Sequence, residues 1–253
     1  MAKILDNKTV LVSGAGSGIG RALALEFARH GGKVACFGRR KDRLDETVAL
    51  IETEGGGGLA VTADITVQSE VKAGVDQVRA AFGEVDFLFN NAGSFNSIAG
   101  VWEADPNTWW RDVEINLRGT FLLIHEVLPA MIARDSGIIV SMNGGRPVGG
   151  SGYACGKAGL MELTRVLNEE LRHENSNVLV YAAGPGLVKT EMTALQANSE
   201  AGKKWIPSTH ESFAKGSLRA PEDIAQATIK LLEIAKLENS GKYYTSAADF
   251  SDF

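Results

Sequence analysis

The sequence predicts an α/β protein: one domain with a doubly wound, seven-stranded parallel sheet and helices on both of its faces. Seven short apolar runs alternate along the chain with longer segments in which apolar residues recur every three or four positions. Most of the short runs are continuously hydrophobic, which is typical of parallel strands covered on both faces. The chain has 253 residues, a length that a single α/β domain often reaches, and no linker or repeat interrupts it.

The predicted strands and helices follow one another in regular alternation. The strands are Thr9–Ser13, Lys33–Phe37, Leu59–Thr62, Asp86–Asn90, Gly137–Met142, Val178–Ala182 and Lys242–Thr245. The helices are Ile19–His30, Arg40–Glu54, Val67–Phe82, Asn107–Arg134, Gly152–Glu174 and Pro221–Leu237. Because each helix connects two strands, right-handed crossovers should join parallel neighbours. The glycine run 55–58 is interpreted as a turn that leads into the third strand.

One segment interrupts this alternation. Glu191–Arg219 is longer than most strand-to-helix connections and carries several large apolar residues, namely Met192, Leu195, Trp205, Ile206 and Phe213. Long ordered insertions are more often lids or binding loops than plain connectors. Within the single domain 1–253, we therefore expect residues 191–219 to form a lobe that covers a substrate.

Composition and charge argue against several classes of function. The net charge is −5 and the basic residues are scattered, which does not match a nucleic-acid-binding surface. The two cysteines have no CxxC spacing and no neighbouring histidine, so neither a metal site nor a disulfide is expected. We find no signal-like start and no apolar stretch near the roughly 20 residues that span a membrane. The expectation is a soluble cytoplasmic protein.

A glycine-rich turn follows the first strand. Gly14, Gly16, Gly18 and Gly20 lie between a β-branched strand and a helix. Glycines at such a place let the backbone turn tightly and let a pyrophosphate approach the amide groups of a helix N-terminus. A plain tight turn is the alternative interpretation, because a glycine repeat alone is weak evidence.

A tyrosine and a lysine stand four residues apart near the start of the fifth predicted helix. This spacing places Tyr153 and Lys157 on one helix face. A free phenol titrates near pKa ~10, and lowering it to about 7 takes roughly 4 kcal/mol of preferential phenolate stabilisation. A nearby ammonium group can supply part of that stabilisation.

The GxxxGxG spacing and the YxxxK spacing together resemble the short-chain dehydrogenase/reductase family, whose fold is the Rossmann type, and the resemblance covers nearly the whole chain. The resemblance implies that Asp64 hydrogen-bonds the adenine ring, that Asn90-Asn91-Ala92-Gly93 closes the cofactor floor, and that 185–190 contacts the nicotinamide end. Besides Tyr153 and Lys157, the implied cofactor-binding residues are Gly14, Ser17, Gly18, Ile19, Gly20, Arg39, Arg40, Asp64, Ile65, Asn91, Ala92, Gly93, Pro185, Gly186, Val188 and Thr190.

The resemblance also implies the chemistry. Tyr153 would exchange a proton with an alcohol or carbonyl oxygen, and Lys157 together with the positive nicotinamide would stabilise the phenolate. Asn116 matches an asparagine that bends its helix and holds a water linking the lysine to solvent. The alternative for Asn116 is a buried polar residue that the backbone satisfies.

The end of the second predicted strand bears on cofactor preference. It carries Arg39 and Arg40 and no carboxylate before Asp42. An acidic residue there would bind a ribose 2′-hydroxyl, whereas arginines can bind a 2′-phosphate through charge-assisted bonds. We therefore expect NADP(H), with NAD(H) possible; the alternative is a solvated basic helix start.

The catalytic serine of the family is missing. Its position falls at Gly144, and the loop from there to Tyr153 is short for the family. That hydroxyl would be worth roughly 1–3 kcal/mol in a dry site. Asn143 is our first choice as a substitute donor, with Ser141 and Ser151 as alternatives. The remaining alternative is that no residue replaces the serine. Arg146, just beyond, is either an anchor for an anionic substrate group or an exposed loop residue.

These residues lead to a functional hypothesis with two rivals. The first hypothesis is an NADP(H)-dependent oxidoreductase that interconverts an alcohol and a carbonyl, with Tyr153, Lys157, Asn116 and Asn143 as catalytic residues. A cofactor-binding sensor that has lost catalysis is one rival, and a reductase of imines or activated alkenes is the other. The resemblance also implies a homotetramer or homodimer packed through the helices Asn107–Arg134 and Gly152–Glu174, a type of closed symmetry that is common.

Overall fold

The computed structural model describes residues 4–245 and confirms the predicted parallel sheet. Its strands are β1 Thr9–Ser13, β2 Lys33–Gly38, β3 Gly57–Thr62, β4 Phe87–Asn90, β5 Ile138–Met142, β6 Leu179–Gly184 and β7 Tyr243–Thr245. One predicted boundary was wrong. Gly57 and Gly58 belong to β3, where they pair with Lys33 and Val34, and are not part of a turn.

The helices lie close to their predicted positions. They are α1 Gly18–Arg29, α2 Lys41–Thr53, α3 Gln68–Phe82, α4 Pro106–Val113, α5 Thr120–Ala133, α6 Ser151–His173, α7 Glu191–Asn198, α8 Glu200–Trp205, α9 Pro207–Ala214 and α10 Pro221–Ile234. The lobe expected at 191–219 contains α7, α8 and α9, each of which is short. A single 3-10 turn, Leu237–Asn239, leads into β7.

The order of the strands places a crevice at the centre of the sheet. The order is β3-β2-β1-β4-β5-β6-β7, and every neighbouring pair is parallel. The chain therefore moves outward in one direction from β1 and in the other from β4. In sheets of this kind, ligands bind beyond the carboxyl ends of the strands where the direction reverses.

The two faces of the sheet carry separate hydrophobic cores. Val10 and Val12 of β1 belong to the cluster that includes residues of α1 and α10, whereas Leu11 belongs to the cluster with α3 and α5. All three side chains are fully buried. Successive strand residues point to opposite faces, so a strand covered on both sides must be apolar throughout.

The helix predicted over Asn107–Arg134 is continuous but not uniform. α4 and α5 are joined by a π-helical turn, Glu114–Gly119, which contains Asn116. By length and composition alone, Pro106–Ala133 could span a membrane, contrary to our expectation that no stretch would. Half of its most apolar stretch is buried inside the protein, and it carries the fully buried polar residues Asp112 and Asn116. Core helices of globular proteins have these properties.

Candidate active site

The glycine-rich turn between β1 and α1 forms one wall of the central crevice. Gly14 and Gly18 have φ values of 70° and 52°, a backbone region that glycine adopts at no steric cost. A Cβ at residue 20 would lie 2.1 Å from the carbonyl oxygen of Gly14, so α1 can approach the turn this closely only with glycine at that position. The start of α1, with Ser17, Gly18 and Ile19, therefore lies directly against the turn and lines the crevice.

Asn91, directly after β4, forms hydrogen bonds that stabilise this turn. Its Nδ2 donates to the carbonyl oxygens of Ser13 at 3.1 Å and Gly14 at 3.4 Å. The Ser13 hydroxyl in turn accepts from the backbone amides of Asn91 and Ala92 at 3.0 and 3.1 Å. Since β1 and β4 are the strands at which the direction reverses, these bonds fix the floor of the crevice.

Tyr153 and Lys157 share the first turns of α6, as their spacing predicts. The Lys157 Nζ lies 5.7 Å from the centroid of the Tyr153 ring and donates to the carbonyl oxygen of Met142 at 2.6 Å. Lys157 is only 4% exposed. The ammonium group is thus fixed between the tyrosine and the end of β5.

The electrostatics of this pair differ from our expectation. Burial lowers the pKa of Lys157 to about 8. Burial, followed by the nearby Tyr243, raises the pKa of Tyr153 to about 12. The expectation was that the lysine would help to make the phenol acidic. In the chain by itself desolvation dominates, because it disfavours the charged form of both groups.

The segment after β5 bears directly on the missing serine. A Cβ built at Gly144 would lie only 1.8 Å from the Tyr153 hydroxyl oxygen. A serine at this position is therefore incompatible with the observed tyrosine. The tyrosine hydroxyl occupies the space that a side chain at residue 144 would need.

Asn143 is the residue that immediately follows β5. Its backbone amide donates to Ala183 of β6 at 2.7 Å, and its Oδ1 accepts from the Gly144 amide at 2.8 Å. The Nδ2 of Asn143 is buried and has no hydrogen-bond partner among the described residues. An unpaired buried donor costs free energy, so a movement that gave this amide group an acceptor would be favourable.

The two serine alternatives lie outside the crevice. Ser141 is buried within β5 and accepts from Asn90 Nδ2 at 3.4 Å. Ser151 accepts from Trp109 Nε1 at 2.9 Å at the start of α6. Neither hydroxyl lines the cavity described below.

Asn116 lies behind the lysine, in the π-helical turn. Its Nδ2 donates to the carbonyl oxygens of Ser94 at 2.6 Å and Asp112 at 2.7 Å. A Cβ at Gly93 would lie 3.0 Å from Asn116 Oδ1 and 3.7 Å from Lys157 Nζ, so both polar atoms face the same glycine. π-helical turns are often found at functional sites. The bonds of Asn116 Nδ2 also agree with the alternative of a polar residue satisfied by backbone.

Both arginines that follow β2 border the crevice, but they differ in their hydrogen bonds and in their exposure. Arg40 donates to the Ser17 hydroxyl at 2.9 Å and to Glu191 at 3.2 Å. Arg39 is mostly exposed, and its Nη1 lies 3.8 Å from Asp64 Oδ2. Although burial raises the pKa of Asp64, hydrogen bonds from Thr66 and Arg111 hold it below its usual value. The carboxylate is engaged inside the protein, which leaves Arg39 the freer cation.

One cavity of about 780 Å³ unites almost all of the predicted site residues. Of these residues, only Gly20 and Asn116 lie behind its wall. The remainder line it: Gly14, Ser17, Gly18, Ile19, Arg39, Arg40, Asp64, Ile65, Asn91, Ala92, Gly93, Asn143, Tyr153, Lys157, Pro185, Gly186, Val188 and Thr190. Volumes of this size are typical of cofactor and substrate sites.

Apolar side chains form part of the cavity lining. Phe95, Pro147, Leu187 and Met192 line it. Thr193, Gln196 and Thr209 of the 191–219 lobe line it as well. Arg146 borders the cavity and, unlike Arg40, has no ion pair or hydrogen bond with a side chain or backbone group in residues 4–245.

Sequence reasoning missed one buried carboxylate next to the site. Asp112 is fully buried on α4 and accepts from the Ser94 hydroxyl and from the amides of Asn96 and Ser97. The only signal in the sequence is its position four residues before Asn116, which places both on one helix face. An aspartate in a surface helix would show the same spacing, so the pattern alone could not reveal its burial.

Comparisons with known proteins found matches in sequence and in structure. A family model described as short chain dehydrogenase matches residues 8–201. A short chain dehydrogenase of Pseudocercospora fijiensis is 39% identical over 196 residues, which cover 75% of this chain and 62% of that relative, less than two thirds of its length. The 3-oxoacyl-acyl-carrier-protein reductase FabG of Staphylococcus epidermidis is 35% identical over 196 residues, covering 74% and 78% of the two chains.

A solved structure resembles the entire fold. The crystal structure of an actinorhodin polyketide ketoreductase variant with NADPH superposes with a TM-score of 0.85, covers 97% of both chains and is 27% identical in sequence.

Proposed function

The chain belongs to the short-chain dehydrogenase family of oxidoreductases, and from that premise we propose that it interconverts an alcohol and a carbonyl with NADP(H), using Tyr153 as acid and base. One observation carries the proposal. The Tyr153–Lys157 pair and the glycine turn after β1 line the same cavity. A proton donor and a phosphate-accepting backbone therefore lie within reach of one dinucleotide.

The crevice fits a nicotinamide dinucleotide. The bare N-terminus of α1 would hold the pyrophosphate, and Gly93, Pro185 and Val188 would border the nicotinamide end. A Cβ at residue 14 would lie 3.0 Å from Ala92 Cα, so the turn can sit this close to the cavity floor only as glycine. The bound cofactor would supply or accept the hydride.

The phenol and the lysine have complementary tasks. With a pKa raised to about 12, Tyr153 keeps its proton at neutral pH and can donate it to a carbonyl oxygen. Lys157, with a pKa of about 8, is mostly charged at pH 7 and stabilises the phenolate that donation leaves behind. Asn116 would hold a water through which the lysine regains a proton.

Asn143 is our proposed substitute for the serine. The support is its unpaired, buried Nδ2 directly beside Gly144, whose missing side chain admits the Tyr153 hydroxyl. A hydrogen bond from this amide to the reacting oxygen would recover part of the stabilisation that a hydroxyl provides. This requires a small rearrangement of the segment after β5 when ligands bind, because the nitrogen is enclosed by protein.

A steady-state assay of NADPH oxidation tests the proposal. We would measure turnover with a panel of ketones and diketones, and with imines and activated alkenes in parallel, for the wild-type chain and for Tyr153→Phe. Tyr181→Phe is the matched control, since it removes a phenol hydroxyl that bonds to Asn239 and whose residue does not line the cavity. Loss of ketone turnover in Tyr153→Phe alone supports the proposal, whereas turnover of alkenes only would reassign the reaction.

The sensor remains a second candidate for one reason. Neither Ser141 nor Ser151 reaches the cavity, and position 144 has no side chain. Tight NADPH binding without turnover of any substrate in the panel would favour the sensor. The cytoplasmic location and the homotetramer or homodimer remain predictions; the exposed Trp110 and Phe121, on the helices proposed for the contact, are consistent with assembly.

A further inference from the structure

The ring of Tyr153 is covered by Phe95. Their centroids are 4.7 Å apart and the ring planes differ by 19°, so the two rings stack. Phe95 is 8% exposed, and a Cβ at Gly150 would lie 2.6 Å from its ring. Phe95 is therefore wedged between the phenol and the segment that leads into α6. Stacked aromatic pairs of this kind constrain the orientation of both rings.

Phe95 belongs to a segment without regular secondary structure, residues 94–97, here called the 94–97 loop. A buried carboxylate holds this loop. Asp112 accepts from the Ser94 hydroxyl at 2.5 Å, from the Asn96 amide at 2.9 Å and from the Ser97 amide at 2.8 Å. Asp112 is 0% exposed and forms no ion pair within residues 4–245. The three hydrogen bonds from the loop therefore offset the cost of burying this carboxylate.

Asn116 fixes the same loop one helical turn further on. It donates to the Ser94 carbonyl oxygen at 2.6 Å, and its Oδ1 lies 3.4 Å from the Ser94 amide nitrogen. Asn116 thus binds the backbone of the residue before Phe95, while Asp112 binds the two residues after it. The aromatic side chain between them has little freedom to leave the phenol.

We propose that Asp112 is a positioning residue for Tyr153: it fixes the 94–97 loop, and the loop keeps the Phe95 ring stacked on the phenol. Asp112 touches neither the cavity nor Tyr153, so it acts only through this loop. The catalytic consequence rests on the role of Tyr153 proposed above. A reacting group displaced by about 1 Å can cost roughly 100-fold in rate, so even a partial loosening should be measurable.

A double-mutant cycle tests the connection. Asp112→Asn keeps the shape but turns an amide NH₂ toward donors of the loop, and Phe95→Leu removes the stacked ring. We expect each to lower kcat about tenfold with the affinity for NADPH little changed, and the KM for ketone should stay near its wild-type value in Asp112→Asn, since Asp112 does not line the cavity. The double variant should also lose about tenfold, since both changes break the same connection. Asp105→Asn, on the same helix but away from the loop, is the matched control and should stay within twofold of wild type.

A second readout needs no turnover. Ionisation of the Tyr153 phenol, followed by ultraviolet absorbance in the cofactor-free chain and isolated by subtracting Tyr153→Phe, reports whether the phenol is still covered. In Phe95→Leu and Asp112→Asn the pKa of the phenol should fall from its raised value toward the ordinary one, and in Asp105→Asn it should not move.

Several outcomes overturn the proposal. These are a fully additive loss in the double variant, a wild-type kcat in Phe95→Leu, or a phenol titration that neither substitution moves. If Asp112→Asn does not fold, as judged by circular dichroism, Phe95→Leu and its titration decide. Full ketone turnover in Tyr153→Phe would instead refute the proposed function, and the titration would still judge the positioning claim.

Discussion

Restoring the serine that the family has near residue 144 should lower the turnover rate of the enzyme. The change is Gly144→Ser. In the structure a Cβ at residue 144 lies 1.8 Å from the Tyr153 hydroxyl oxygen and 2.8 Å from its Cζ, whereas real Cβ atoms essentially never come closer than 3.0 Å to another heavy atom. The hydroxyl or the backbone of the segment must therefore move by more than about 1 Å, which can cost roughly 100-fold in rate. In activation free energy this is about 3 kcal/mol.

The assay is NADPH oxidation with the best ketone of the panel, together with NADPH binding measured by fluorescence. We expect kcat of Gly144→Ser to fall about 100-fold while the affinity for NADPH stays within a few-fold, since residue 144 only borders the cavity. Gly145→Ser is the matched control, because a Cβ at residue 145 meets no atom within 4 Å. It adds the same hydroxyl one residue further on and should leave kcat nearly unchanged.

A gain in turnover for Gly144→Ser would refute this reasoning. It would mean that Tyr153 moves aside at little cost and that a serine at residue 144 does complete the site. Equal losses in Gly144→Ser and Gly145→Ser would also contradict it, because they would trace the effect to the flexibility of the segment instead of the contact with the phenol.

Further predictions concern the cofactor, the serine substitute, the lysine and the substrate. Arg39→Ala should weaken NADPH at least tenfold and NADH little, while Lys41→Ala, whose side chain pairs with Asp45, should change neither; equal losses for both cofactors would undo the NADP(H) preference. Asn143→Ala should lower kcat about tenfold, well beyond its effect on cofactor binding, and an unchanged rate would remove the residue from the site. Lys157 has a folded pKa of about 8 against an ordinary 10.5, so its charge destabilises the fold fully below pH 8 and progressively less as pH rises to 10.5. Between pH 8 and 10.5, the unfolding free energy of the wild type should therefore rise by about 3 kcal/mol relative to that of Lys157→Met. Urea titrations of the cofactor-free chain measure both, and a difference that does not change with pH would contradict the prediction. Arg146→Met should raise KM severalfold for a keto acid but leave KM for its neutral ester unchanged; equal effects on both would make Arg146 an ordinary surface residue.

The sequence was sufficient for the fold because its signals there are local. Continuous apolar runs such as Val10–Val12 have to be covered on both faces, and this requirement alone predicts a parallel sheet between two helix layers. Gly57 and Gly58 were not predicted as part of β3 because glycine has no side chain that could show a strand pattern. Their membership in β3 depends on pairing with β2, which lies more than twenty residues earlier in the chain.

The sequence predicted which residues lie together around the cavity but not the direction of their pKa shifts. Spacing placed Tyr153 and Lys157 on one face, and the structure gathers them with the glycine turn in one cavity. The direction of the Tyr153 pKa shift depends on how much protein surrounds the phenol, which no local pattern encodes. The same holds for Asp112, since its burial is decided by a loop that comes earlier in the chain and by donors that are mostly backbone amides.

The opposite pKa shifts of the pair determine which protonation state of the phenol the chain itself favours. Burial pushes Tyr153 and Lys157 alike toward their neutral forms. Carbonyl reduction needs a protonated phenol, and the chain alone provides this at neutral pH. Alcohol oxidation needs a phenolate, which from a pKa of about 12 requires several kcal/mol of stabilisation at pH 7. The lysine lies 5.7 Å from the ring centroid and donates to a backbone carbonyl, and in the chain by itself it does not offset the effect of burial on the phenol. In the chain by itself, burial therefore favours the protonated phenol, the form that donates a proton to a carbonyl oxygen.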